Sequence, residues 1–414
     1  MKNKIKQLPN ILMHEQLAFL ACLCILVGLF VSRAMMSIGM MTLLANAFIQ
    51  TPFKKNFYNF WKDRNSILIT VYFLLSAITY FWSEDKHYFM ERMQILLPFL
   101  VLPFAFYAMP HCRLKWFDRL FIVFVLLCMG GCCWSLYHYF LHKEMYDEAY
   151  GLSQVLPTPF KNDHIRFSIA VLLSMYCCLD LAIRYKQKWI RIALTLCIIF
   201  FIVFLHIVAV KTGLIVFYLI TFLFLGKLLF TTKNKGFALI GLSSILVLPF
   251  IMYSFSTSFR NKINYVKYSW EQMQNTEMQA NISDEGRLIS YRYALQSIAL
   301  HPLLGVGIGD VKIEMEKKYA HDFAEKKATV LLPHNQFLVV GMGLGIGGIL
   351  YLLLMQFSLF FWKKNKDFLY FSVWFTFFFT MMIEPLYETQ YGTCLFLFFL
   401  LLVAKRPSEK RVVY

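Results

Sequence analysis

This chain has few charged residues and lacks the usual nucleotide and metal motifs. Only 16% of its 414 residues are charged, whereas soluble proteins average about 25%. The sequence contains no GxxxxGK[ST] loop, no HExxH and no GxGxxG placed between a strand and a helix. These absences argue against ATP-driven transport, zinc hydrolysis and a Rossmann-type site for nucleotide sugars.

The ten cysteines also lack the spacing of a metal or redox site. They lie in or near apolar runs, with adjacent pairs at Cys132/Cys133 and Cys177/Cys178. Neither a CxxC spacing nor a set of Cys and His at ligand spacing occurs. We therefore interpret the cysteines as small apolar side chains, and we predict neither a bound metal nor a cofactor.

Long apolar runs are abundant. Hydrophobic residues make up 59% of the chain, and its mean hydropathy is +0.56. A membrane-spanning helix needs about 17–25 apolar residues, and we predict about twelve such segments. They are residues 17–31, 34–49, 66–82, 93–109, 120–140, 165–183, 190–210, 214–230, 236–255, 337–362, 368–383 and 391–404. The sequence therefore predicts an all-α integral membrane protein with about 12 transmembrane helices.

Basic residues are concentrated in every second loop. Seven segments, from the N-terminus to the C-terminus, hold 24 of the 41 Lys and Arg, and the alternate loops are acidic or poor in Lys and Arg. Because cytoplasmic loops carry the excess of Lys and Arg, this pattern predicts that both termini are cytoplasmic. The net charge of +17 then reflects membrane topology, and no nucleic-acid partner is expected.

One large polar segment, residues 256–333, interrupts the apolar runs on the predicted outer face. It carries ten Lys or Arg and nine Asp or Glu. We predict that it is helical, with helices near 286–300 and 312–327 that flank a glycine-rich turn at 304–310. The chain then divides into an N-terminal transmembrane bundle (1–255), a periplasmic loop domain (256–333) and C-terminal transmembrane helices (334–414).

Four motifs follow one another in the second half of the chain. They are a helical Arg287, the turn Pro302-Leu303-Leu304-Gly305-Val306-Gly307, the helix start Pro333-His334-Asn335-Gln336, and Glu384-Pro385-Leu386-Tyr387-Glu388-Thr389-Gln390-Tyr391-Gly392. In this order they resemble the signature of the O-antigen ligase/polymerase superfamily. Lys211-Thr212-Gly213 stands where that family usually has an arginine before a small residue and glycine. Lys211 keeps the positive charge, but it lacks the planar guanidinium that can donate two parallel hydrogen bonds to a phosphate.

The resemblance implies a glycosyltransferase of the bacterial inner membrane. Members of the family transfer a glycan from undecaprenyl diphosphate to an acceptor at the periplasmic face, without a metal or nucleotide. It implies that His334 is the catalytic base and that Arg287, Lys211 and Arg166 bind the diphosphate. Residues expected to support the site are Asn335, His164, Arg292, Glu384, Glu388 and Gln390. Of these, His164, Glu384, Glu388 and Gln390 lie near predicted outer helix ends.

Each of these residues also has a purely structural interpretation. His334 would cap a helix at the interface, and Lys211 and Arg287 would be surface cations whose stems lie along apolar surface. Asp163 would cap the helix that carries His164 and Arg166. For Glu384 and Glu388 we favour an ordering role at the outer rim over acid–base chemistry. The glycine-rich helix after His334 indicates close helix packing.

Three functions fit the sequence. The first, which we favour, is a ligase that joins O-antigen to lipid A-core, because the large loop lies immediately before the PHNQ motif. The second is an O-antigen polymerase or a protein O-oligosaccharyltransferase of the same superfamily. The third is a transporter of lipid-linked sugars. The sequence lacks an internal repeat and its charges cluster at one face, and both observations count against transport.

Overall fold

In a computed structural model, every regular element of the described residues is helical. Those residues are 2–49, 53–151, 156–231, 235–273, 283–323, 329–362 and 367–407. Besides two short 3-10 turns, at Thr79–Phe81 and Leu386–Glu388, they form the following α-helices: α1 Lys2–Val31, α2 Arg33–Ile49, α3 Phe53–Phe60, α4 Arg64–Ile78, α5 Lys86–Leu96, α6 Pro98–Ala108, α7 Leu114–Leu141, α8 Lys143–Gly151, α9 Pro159–Asn162, α10 His164–Arg184, α11 Lys188–Val208, α12 Lys211–Thr231, α13 Lys235–Phe255, α14 Thr257–Met273, α15 Ser283–Leu300, α16 Val311–Asp322, α17 Gln336–Phe360, α18 Phe368–Ile383 and α19 Gln390–Lys405.

The apolar segments predicted from the sequence are all helical. Among the described residues, 9 helices are long and apolar enough to cross a membrane, or up to 10 if α2 and α3 together form one bent span. Two shorter apolar helices, α18 and α19, account for the last two predicted segments. The predicted class, an all-α multi-pass membrane protein, is confirmed.

Acidic and polar side chains cap several helices on the side that carries the four motifs. Asp85 accepts from the Tyr88 amide at 2.8 Å before α5, and Thr389 accepts from the Gly392 amide at 3.1 Å in α19. The first amides of a helix have no partner within the helix, so a side-chain oxygen satisfies a group that would otherwise be desolvated without compensation. These caps determine where the spans begin.

The chain packs into two compact units, one of residues 1–124 with 287–414 and the other of residues 125–286. The three-part division predicted above follows membrane topology rather than packing, and it stays a prediction. In the first unit, helix ends assigned to the same face by the charge pattern lie together. Asp310 accepts from the Glu84 amide at 2.7 Å at ends that the charge pattern assigns to the outer face, and Lys405 donates to the Tyr107 carbonyl at 3.0 Å at ends that it assigns to the inner face.

Helix α17 is interrupted at Gly345, where φ is 70° and ψ is −169°. The interruption frees backbone groups that bond to the turn after α15. The Val306 amide donates to the Met342 carbonyl at 2.8 Å, and the Ile346 amide donates to the Pro302 carbonyl at 2.8 Å. Backbone groups within an apolar region need partners from the protein itself. The loop therefore reaches Gly345, nine residues after Gln336, which is about 14 Å along the helix.

Glycine is required along this contact. A Cβ at Gly345 would lie 2.5 Å from the Leu303 carbonyl oxygen, and a Cβ at Gly305 would lie 2.4 Å from that of Met342. Both residues also have positive φ, which side chains other than that of glycine rarely allow. The glycine-rich helix thus serves close packing, as predicted, but its partner is the loop of residues 302–310.

The second unit contains two short amphipathic helices, α8 and α14, that the sequence did not single out. The Asp147 carboxylate on α8 accepts from Tyr139 Oη at 2.8 Å and from Lys143 Nζ at 2.7 Å. The backbone carbonyl of the same residue accepts from Asn261 Nδ2 on α14 at 2.7 Å. Ser258 Oγ, also on α14, donates to the Ile207 carbonyl at 2.8 Å. These bonds attach α8 and α14 to each other and to the end of α11.

Candidate active site

The start of α17 is capped by Asn335 and not by His334. Asn335 Oδ1 accepts from the amides of Phe337 at 2.8 Å and Leu338 at 3.1 Å. The interpretation of His334 as a helix cap is therefore wrong, because its neighbour performs that role. The His334 imidazole, whose side chain is 23% exposed, is directed to a different partner.

That partner is Glu384, which binds both His334 and Arg287. Glu384 Oε2 lies 3.1 Å from His334 Nδ1, and Glu384 Oε1 lies 3.0 Å from Arg287 Nη2. The carboxylate is almost fully buried at 1% exposure, while the Arg287 side chain is 26% exposed. A buried carboxylate is stabilised by such a charge-assisted pair. Three residues predicted for the site are thus in direct contact.

The contact determines which nitrogen of His334 carries hydrogen. An ionised carboxylate can only accept hydrogen bonds, so Nδ1, which faces Glu384, must be the donor. In the neutral imidazole the other nitrogen, Nε2, then holds the lone pair. This arrangement presents a proton acceptor on the side of the ring away from Glu384.

Two side chains next to His334 tether the segment that carries Glu384. Asn335 Nδ2 donates to the Met382 carbonyl at 2.8 Å, two residues before Glu384. Gln336 Oε1, which is buried, accepts from the Tyr387 amide at 2.6 Å, three residues after Glu384. Glu384 lies between these two bonds. They therefore fix the segment between α18 and α19 relative to the start of α17.

Helix α15 contributes a second contact through Tyr291. Tyr291 lies four residues after Arg287 and therefore on the same helix face. Its hydroxyl donates to the His334 carbonyl at 2.7 Å. Burial raises the pKa of the Tyr291 phenol above its ordinary value, so the group remains a hydrogen-bond donor at neutral pH. Helix α15 thereby holds both the backbone of His334 and the partner of its side chain.

Arg92 on α5 is a component of this region that the sequence analysis missed. Its guanidinium lies 2.6 Å from Glu388 Oε1 and donates to the Tyr387 carbonyl at 2.9 Å and the Glu388 carbonyl at 3.1 Å. Both side chains are buried, at 7% and 9% exposure. One signal could have revealed it: an arginine within the apolar span Lys86–Ala108, where charged residues are costly and usually paired.

Two other predicted supporting residues have partners outside the His334 cluster. Gln390 Nε2 donates to Ser37 Oγ on α2 at 3.0 Å. Arg292 is exposed on α15, and its charge acts on Tyr293 and Asp322. Hydrogen bonds from Tyr293 and His321 lower the pKa of the Asp322 carboxyl. A supporting role of Gln390 and Arg292 in the site stays a prediction.

The remaining candidates, Arg166, Lys211 and His164, belong to the second unit. Asp163 caps α10 by accepting from the Arg166 amide at 3.1 Å, as predicted, and it also lies 3.5 Å from Arg166 Nη1. Lys211 Nζ is 6.0 Å from the centroid of the Tyr265 ring. His164 and Lys211 are the first residues of α10 and α12.

The starts of α10 and α12 are packed closely. A Cβ at Gly213 would lie 2.7 Å from Ser168 Oγ, so only glycine allows this approach. The helix starts that carry Arg166 and Lys211 are therefore neighbours within this unit. Lys211 and the two helix N-termini favour an anion there, whereas the Asp163 carboxylate offsets the charge of Arg166.

In the part of the chain that the structure describes, no group of three or more His, Cys, Asp or Glu is placed to hold a metal ion. Residues 196–353 match the family model described as O-antigen ligase, which confirms the predicted resemblance to that superfamily. The matched range contains Lys211, Arg287 and His334 and ends before Glu384. No curated protein matches the chain.

Proposed function

We propose that the protein is an O-antigen ligase, because residues 196–353 match the family model of that description. It transfers a glycan from undecaprenyl diphosphate to lipid A-core during lipopolysaccharide synthesis. The reaction takes place at the periplasmic face of the bacterial inner membrane, and both termini are cytoplasmic. The observation that carries this proposal is the contact of Glu384 with both His334 and Arg287.

His334 acts as the general base. Its Nε2 accepts the proton of an acceptor sugar hydroxyl while that oxygen forms a bond to the anomeric carbon of the glycan. The bond between the anomeric carbon and the diphosphate oxygen breaks, and its electron pair leaves with the lipid diphosphate. Glu384 orients the imidazole and stabilises the positive charge that it gains.

Arg287 in one unit, and Arg166 and Lys211 in the other, are each proposed as diphosphate-binding residues. The leaving group is already activated, so its departure mainly requires neutralisation of negative charge, which cations provide without a metal ion. The Arg287 guanidinium contacts Glu384 through Nη2, and its five donors allow further bonds to an anion. Asn335, His164, Arg292, Glu388 and Gln390 support the surrounding structure.

The runner-up is an O-antigen polymerase or a protein O-oligosaccharyltransferase of the same superfamily. Both use the same donor and the same step, and they differ in the hydroxyl that attacks. The ligase is favoured because the single large polar loop precedes the PHNQ motif directly. The acceptor is therefore the part of the proposal that the experiment below tests.

A transporter of lipid-linked sugars is the alternative from another class, and one observation bears on it. Transporters often expose broken helices to their substrate, and α17 is broken at Gly345. Here, however, the freed groups of Met342, Gly343 and Ile346 bond to residues 302–307 of the same chain. This break is occupied by protein, which counts against a transport site there.

The decisive experiment is the envelope glycolipid profile of a strain that lacks the gene. If the protein is a ligase, the O-antigen polymer should disappear from lipid A-core and accumulate on the lipid carrier. Decoration of lipid A-core with a single repeat would indicate a polymerase, and loss of glycan from proteins would indicate an oligosaccharyltransferase. Failure of the lipid-linked glycan to reach the periplasm would indicate a transporter.

A further inference from the structure

The segment that carries Glu384 has little regular structure of its own. Glu384 follows α18 in an extended conformation, with φ −148° and ψ 144°. Only the 3-10 turn Leu386–Glu388 separates it from Thr389, which caps α19. The direction of the Glu384 side chain therefore depends on whatever holds this turn.

The turn is held from two sides. From α17, Gln336 binds the Tyr387 amide, and Gln356 Nε2 donates to Tyr387 Oη at 3.1 Å. From α5, Arg92 binds the Tyr387 carbonyl, the Glu388 carbonyl and the Glu388 carboxylate. Arg92 thus binds the turn through two backbone carbonyls and one carboxylate.

A small cavity borders the pair of Arg92 and Glu388. It offers about 20 Å³ to a water molecule and is lined in part by Tyr88, Arg92, Gln336 and Glu388. A space of that size holds about one water. If Arg92 were lost, water in this cavity could bond to the freed carbonyls, and the turn could shift without leaving them unsatisfied.

We propose that Arg92 is a positioning residue for the transfer reaction: it holds the turn of residues 386–388 so that Glu384 faces His334 Nδ1. This inference rests on the proposed function. Arg92 is bound to the turn and acts through Glu384, so it should affect the rate of the chemical step more than the binding of the donor. A displacement of about 1 Å at a reacting group can cost about 100-fold in rate.

The test is a double-mutant cycle on the kcat of glycan transfer by the purified full-length protein in lipid vesicles. Arg92→Gln should lower kcat by about 10- to 100-fold, with a much smaller rise in the KM for the donor, because Glu384 also contacts Arg287. In a Glu384→Gln background the same change should cost no more than about twofold, because the path through Glu384 is already lost. Arg92→Lys should restore part of the rate.

A matched control is available in Arg184. It is buried to a similar degree, at 8% exposure, and pairs with Asp180 at 2.7 Å, but its partner lies on its own helix. Arg184→Gln should therefore leave kcat unchanged. Arg92→Gln removes a charged partner of the buried Glu388 carboxylate. If the single variant fails to fold, the Arg92→Gln/Glu388→Gln variant replaces it.

Two outcomes would overturn the inference: a kcat for the Arg92 variants equal to that of the wild type, or an equal loss in both backgrounds. Amide hydrogen exchange over residues 384–392 provides a readout that does not need activity, and the Arg92 variants should exchange faster there. Absence of transfer by the wild-type protein would refute the proposed function, whereas unchanged exchange would refute the role of Arg92.

Discussion

Replacing Glu384 with Gln removes one negative charge and converts one of two acceptor oxygens into a donor. In the native protein both oxygens are used, at 3.0 Å from Arg287 Nη2 and 3.1 Å from His334 Nδ1. A guanidinium can only donate, so in the variant the amide oxygen must face Arg287. The amide nitrogen then faces His334 Nδ1, which has to become an acceptor, and the ring hydrogen moves to Nε2.

The variant therefore blocks the atom that should take the proton. Loss of a positioned general base typically costs about 10²–10⁴-fold in rate, which corresponds to about 2.7–5.5 kcal/mol in activation free energy. We expect kcat to fall by that factor. The KM for the donor should change much less, because Arg287 keeps an acceptor partner and its own charge.

The assay is multiple-turnover transfer from a lipid-linked glycan to acceptor lipid, with the variant purified and inserted in vesicles. Glu316→Gln is the matched control, since Glu316 forms only an exposed pair with Lys312 at 3.8 Å, and exposed pairs contribute little. A Glu384→Gln protein that inserts normally and keeps a kcat close to that of the wild type would refute the tautomer argument.

Two further predictions concern the cations proposed to bind the diphosphate and the helix break. The Arg287→Ala/Lys211→Ala double variant should raise the KM for the donor, because two cations are lost. Lys211→Arg should retain activity, because the positive charge is kept. Unchanged donor use by the double variant would show that neither residue binds the donor. Gly345→Ala should lower thermal stability in detergent, because its Cβ would lie 2.5 Å from the Leu303 carbonyl oxygen at a φ of +70°. Gly347→Ala, with nothing within 4 Å, is the control, and equal melting temperatures would contradict the close packing at the break.

Helices and motifs could be predicted from the sequence because their signals are local. A span needs a continuous apolar run, and Pro333-His334-Asn335-Gln336 is conspicuous at the start of one. The contacts of Glu384 could not be predicted in the same way, because its partners His334 and Arg287 lie 50 and 97 residues away. Its position was known only as a helix end, so an ordering role was the natural expectation.

Two features escaped the sequence analysis for physical reasons. Arg92 lies within an apolar span, where a charged side chain is usually paired, but no local pattern identifies its partner Glu388, which is 296 residues away. The glycines of α17 predicted close packing, but not that the helix breaks at Gly345 to accept the loop after α15. That pairing depends on how the loop of residues 302–310 folds back, which is a long-range property.

The most direct test of the account is the His334→Ala variant, assayed for glycan transfer and for donor binding in the same preparation. Asn335 caps the helix, so removal of the imidazole should leave α17 and membrane insertion intact. We predict a loss of transfer of about 10²–10⁴-fold with donor binding retained, since binding rests on the cations. A His334→Ala protein that transfers glycan at the wild-type rate would contradict the assignment of His334 as the general base.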